Sequence, residues 1–168
     1  MSEFRTLPVE EAVTWIRAWT DRVWPMTLHE ALAIRDNLGW RPFPNEPDFF
    51  TTPLSQNGHW GGYISKSNEF DIKGISFDLS SPPSLEINEH NIRAANEALL
   101  LYAKNLDRIW GSRQIHTNTR ETVHFRWKLS NRVSVSIIRT NVLVGVDIDS
   151  PWRTQVSEEY DRAMEDYE

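Results

Sequence analysis

VHFRWKLSNRVSVSIIRTNVLVGVDI, residues 123–148, contains three short runs in which apolar and polar side chains alternate, separated by two polar breaks. In 123–129, Val123, Phe125, Trp127 and Leu129 fall on one face and His124, Arg126 and Lys128 on the other, because successive strand side chains point to opposite sides. Runs 133–138 and 142–148 repeat the alternation, and Ser130-Asn131 and Thr140-Asn141 supply turn residues. Three antiparallel strands in a meander follow, with one apolar face that needs a cover.

The cover lies just upstream. Asn88 is placed to cap a long helix in which Ile92, Ala95, Leu99, Tyr102, Ala103 and Leu106 recur at three- and four-residue intervals, and Gly111 stops it. Before it, WGGYISK, a polar SNE break and DIKGISFDL read as a hairpin over 60–79, closed by SSPPS. Residues 41–58 hold four prolines and read as a loop with one short edge strand near Phe49 to Thr52. The chain opens with a helical hairpin: Pro8 to Asp21, then a second helix whose capping box is Thr27 and Glu30 and whose end is marked by Gly39. Trp15 and Trp19, four residues apart on the first helix, are expected to lie together in the core or on a hydrophobic docking face rather than form a ligand cage with Trp24 and Trp40. Downstream, Val156, Tyr160, Ala163 or Met164, and Tyr167 stand at helical spacing in an acidic C-terminal helix over 154–167. The expected architecture is therefore a single α+β domain over 1–168. Its antiparallel sheet has about five to six strands packed against helices, in the order α-α-(β)-β-β-α-β-β-β-α.

Composition agrees with a globule and removes several classes of function. Hydrophobic residues make up 39% of the 168 and charged residues 25%, enough for a core without disulfides or metals. Cysteine is absent, which excludes thiol catalysis and thiolate metal sites and suits a reducing compartment, so the expected location is cytoplasmic. The first residues carry Glu3, Glu10 and Glu11 and no apolar stretch of secretory type. No segment approaches the ~18 consecutive apolar residues of a membrane span. The net charge of −6 is uneven: residues 91–156 carry ten basic and five acidic side chains, whereas 157–168 carry one and six. An overall acidic chain is a poor binder of phosphates, so no nucleic acid is expected as partner.

Candidate chemistry is sparse. The five histidines, at 29, 59, 90, 116 and 124, show no zinc-finger or metalloprotease spacing. Gly58-His59-Trp60-Gly61-Gly62-Tyr63 is glycine-rich but lacks the Lys-Ser/Thr and the helix of a phosphate cradle, and reads as a turn into a strand. Asp147 and Asp149 share a strand face and could serve acid–base work or a cation, or simply mark a charged strand end. The stripe His124, Arg126, Lys128 could contact an anion or nucleic acid, but it is only three residues long and nearby acidic helices can neutralise it, so it reads as a solvated face. No catalytic, cofactor-binding or metal-binding residue is assigned.

A family likeness rests on the Trp-bearing first helix, the helix ending in Leu38-Gly39-Trp40, the long helix closing on Trp110-Gly111, the stretch VHFRWKLSNRVSVSI and the following VDIDSP at 146–151. Together these resemble small actinobacterial proteins similar to immunity proteins encoded beside secreted polymorphic toxins, often in type VII secretion neighbourhoods. The element order is also similar to that of type III secretion chaperones. Both resemblances imply a protein that grips another protein, without cofactor, and neither supplies catalytic residues to carry over.

The expectation is then an immunity protein: a monomer that joins a cognate toxin domain in a heterodimeric complex and covers its active site. Its acidic groups would steer and complement a basic partner. The candidate contributors are Glu46, Asp48, Glu158, Glu159, Asp161, Glu165 and Asp166, with Trp60, Trp152 and Tyr160 as aromatic anchors. A secretion chaperone would instead present an apolar groove and self-associate. A small enzyme or ligand-binding domain would show a deep pocket with convergent polar groups.

Overall fold

The computed structural model describes residues 4–55, 58–66, 70–81 and 87–167. Its elements are α1 (Val9–Thr20), α2 (Leu28–Asn37), β1 (Arg41–Phe43), β2 (Glu46–Thr51), β3 (Gly62–Lys66), β4 (Ile72–Asp78), α3 (Glu89–Trp110), β5 (Gln114–Asn118), β6 (Thr122–Lys128), β7 (Ser134–Thr140), β8 (Leu143–Asp149) and α4 (Pro151–Glu165). The α+β class and the antiparallel sheet are as the sequence implies. The strand count is not: among the described residues eight strands form one sheet in the order β1-β2-β3-β4-β8-β7-β6-β5.

Two strands account for the difference. The proline-rich segment forms a hairpin, β1 with β2, turning at Asn45 with φ 64°. Pro42 is compatible with it because β1 is an edge strand and needs few backbone donors, Pro44 lies between the two strands, and Pro47 falls where the β1–β2 register shifts, with no partner residue on β1 or β3. The other addition, β5, reads QIHTN, lies on the opposite edge and is largely exposed, so no apolar alternation marks it. The expected C-terminal helix starts earlier than 154, at Pro151, with Ser150 as its cap. The SNE break and most of SSPPS lie outside the described residues.

The long helix α3 is built as its sequence dictates. The Asn88 side chain accepts a hydrogen bond from the Asn91 backbone N–H at 2.8 Å, and Gly111 ends the helix at φ 93°. Ala95, Leu99, Tyr102, Ala103 and Leu106 are buried against α1 and the strands β6, β7 and β8. The Tyr102 hydroxyl donates to the Leu7 carbonyl, tying α3 to the N-terminal arm. The four tryptophans near the start do not form a cage. Trp15, Trp19 and Trp40 are buried, with Trp40 stacked on Phe50 at 4.8 Å and edge-on to Trp15 at 5.0 Å. This aromatic block fastens α1 to the β1–β4 half of the sheet.

The helices α1 and α3 thus cover one sheet face. The fourth helix, α4, crosses one end of the other face, where Thr154 and Ser134 share a hydrogen bond of 3.0 Å and Lys128 pairs with Glu158 at 2.6 Å.

Candidate functional site

The face away from α1 and α3 is polar and partly open. Strand register places its side chains in rows. One row runs Tyr63, Ser76, Asp147, Ser136, Arg126, and the next runs Asp78, Gly145, Ile138, His124. A third, Gly74, Asp149, Ser134, Lys128, lies at the end that α4 crosses. Ser76 donates to Asp147 at 2.5 Å, and His124 Nε2 meets the Ser136 hydroxyl at 2.9 Å. Burial, reinforced by the charge of Asp147, pushes the Asp78 carboxyl up to about 7. Burial also raises Asp149, offset in part by Arg153. His124 is lowered by burial and by the neighbouring His116, whose ring stacks on it at 5.0 Å.

Beside the carboxylates stands an aromatic trio that no spacing in the sequence groups. Phe49, Trp60 and Tyr63 meet at centroid distances of 4.9, 5.7 and 6.0 Å, with Trp60 edge-on to both others. Trp60 and Tyr63 are exposed. Trp60, Tyr63, Ser76, Asp78, Gly145 and Asp147 line a shallow cleft of about 150 Å³. Asp147 was legible as a strand carboxylate, but its partner Asp78 sits on β4, and only the β4–β8 pairing joins them. Asp149, its expected companion, lies toward α4 with Arg153 at 3.5 Å.

The stripe His124, Arg126, Lys128 is solvated only at its Lys128 end, His124 being half-buried. Arg126 is buried, donating to Ser134 at 3.0 Å, and Lys128 is bound to Glu158, whose carboxyl that hydrogen bond holds below its usual range.

Seven of the ten residues expected to meet a partner lie on α4 or at its C-cap: Trp152, Glu158, Glu159, Tyr160, Asp161, Glu165 and Asp166. The helix holds the sheet through Pro151, Thr154 and Glu158. At 100° per residue its opposite side carries Trp152, Val156, Tyr160 and Met164, and Tyr167 continues the line. All five are exposed, Tyr160 at 64% and Trp152 at 58%. An amphipathic helix normally turns such a stripe to the core; here it faces solvent, between Glu159 and Asp166 on one side and Asp161 on the other. Trp60 lies in the aromatic trio, Asp48 pairs with Lys66 at 3.1 Å, and Glu46 is exposed on β2. These three are not gathered with α4.

Among the described residues no group of three or more His, Asp or Glu could hold a metal ion, and no helix is long and apolar enough to cross a membrane. The chain belongs to a family of unknown function, DUF6301, whose model matches residues 10–150. The matched region covers the sheet and α1 to α3 and ends at the cap of α4. No curated protein and no solved structure matches the chain.

Proposed function

We propose that this DUF6301 protein is an immunity protein, which binds a cognate toxin domain in the cytoplasm and blocks its active site, with α4 as the docking element. The observation that carries the reading is the outward stripe Trp152, Val156, Tyr160, Met164, Tyr167 on a helix anchored to the sheet by its other side. A contiguous apolar line of this length on a soluble fold marks an interaction surface, and Trp and Tyr are the side chains that most often dominate binding energy. The acidic flanks select a groove with a basic rim and speed the encounter. They also disfavour an anionic membrane surface as the target.

The test is co-expression with the polypeptide encoded next to the gene, scored by cell survival and by size-exclusion chromatography. Rescue from toxicity together with a one-to-one complex supports the reading, and the double variant Val156→Asp/Tyr160→Ala should abolish both while the variant still folds. A stable complex with no toxicity to rescue points to a chaperone instead. Absence of any complex, or a complex indifferent to the α4 variant, rejects α4 as the docking element.

A further inference from the structure

At the other end of the open sheet face, Asp78 is half-buried on β4. Among the described residues its carboxylate has no hydrogen bond and no cationic partner; its surroundings supply only burial and the like charge of Asp147. A carboxylate held this way beside a second one is unfavourable in an isolated domain, and an arriving cation relieves it.

The walls say which kind of cation. Trp60 and Tyr63 present exposed rings to the same cleft, and ring faces attract organic cations, with guanidinium adding a planar stack and a fork of donors that matches carboxylates. A metal ion gains nothing from such walls. The floor is open because of Gly145: a Cβ built there comes no nearer than 3.7 Å to Asp78 Oδ1 or to the Phe77 carbonyl. Gly62 differs, since its Cβ would lie 2.2 Å from the Ser76 carbonyl, so glycine there is demanded by backbone contact and not by the cleft. The volume of about 150 Å³ accommodates a guanidinium and the start of its stem.

We propose that the cleft between the Trp60–Tyr63 wall and the carboxylates of Asp78 and Asp147 is a receptor site for a guanidinium group. Along the strands its Asp147 stands two residues and its Asp78 four from the row at α4, about 7 and 13 Å at ~3.3 Å per residue, and the cleft is a contact separate from the helix. The role of α4 can fail without touching it, and the reverse holds as well.

The experiment is an amide and indole NMR titration of the full chain at about pH 8.5, where Asp78 is charged. Four probes are used: agmatine, the tripeptide acetyl-Gly-Arg-Gly-amide, urea as neutral isostere and calcium chloride as the metal-ion control. Agmatine is expected to give saturable shifts at the Trp60 indole and the Gly145 amide, and urea none. Asp78→Asn should weaken binding at least about tenfold, as loss of one charge-assisted contact implies. Gly145→Leu should block the cleft. Stronger binding by the tripeptide identifies a partner's arginine side chain as the natural source, and stronger binding by agmatine a free small cation; either supports the site. Shifts that survive Asp78→Asn, that map to the α4 carboxylates, that urea reproduces, or that calcium chloride elicits more strongly than agmatine would overturn it.

Discussion

Asp78 makes the sharpest prediction at the scale of one residue. Its folded-state pKa of about 7 lies above the ordinary 3.8, so between those values the folded chain holds a proton that the unfolded chain has lost. Stability therefore falls as pH rises through this window. Asp78→Asn is expected to match the parent below about pH 4 and to exceed it above about pH 7, by about 4 kcal/mol at most. Urea midpoints across pH check this, and parallel curves would refute it. The two glycines supply a second test by melting temperature. Gly62→Ala drives a methyl into the Ser76 carbonyl and should destabilise by about 2 kcal/mol or more, whereas Gly145→Ala makes only ordinary contacts and should be nearly neutral. None of this was legible in the sequence. Asp78 and Gly62 look like any polar or small residue in a hairpin until pairing sets Asp78 beside the row of Asp147 and Gly62 opposite Phe77, against the Ser76 carbonyl.

Among the elements, those with strong periodicity were readable. The α3 stripe and the β6–β8 meander each bury what their spacing says, and Thr27, Asn88 and Gly111 cap or end their helices as their side chains allow. The edge strands β1 and β5 were not, because an edge strand needs no apolar alternation and tolerates proline. The periodicity of α4 was readable but the direction of its stripe was not, since an amphipathic pattern does not say whether its apolar side meets the core or a partner. The caps separate the two helices experimentally. Asn88→Ala should lower global stability by about 1 kcal/mol, because α3 is integral to the core. Ser150→Ala, which removes the hydrogen bond from Arg153 N–H, should instead raise amide exchange within α4 while leaving the global midpoint nearly unchanged.

Across the whole molecule, the sheet consists of two four-stranded ladders, β1 to β4 and β5 to β8, each joined strand by strand in chain order. They meet only at β4 and β8, where Ile75 pairs with Ile148 and Phe77 with Val146. Pairings within a ladder are short-range and inexpensive in chain entropy, while the β4–β8 seam closes a long loop. Substitutions such as Ile148→Val are expected to slow folding, whereas Val123→Ala at the far side of the second ladder should mainly speed unfolding. Denaturant chevrons distinguish the two. Asp78 and Asp147 stand on opposite banks of the seam, so a ligand gripped by both acts as a clasp. Its departure then precedes unzipping, and the bound chain is expected to outlast the free one under proteolysis.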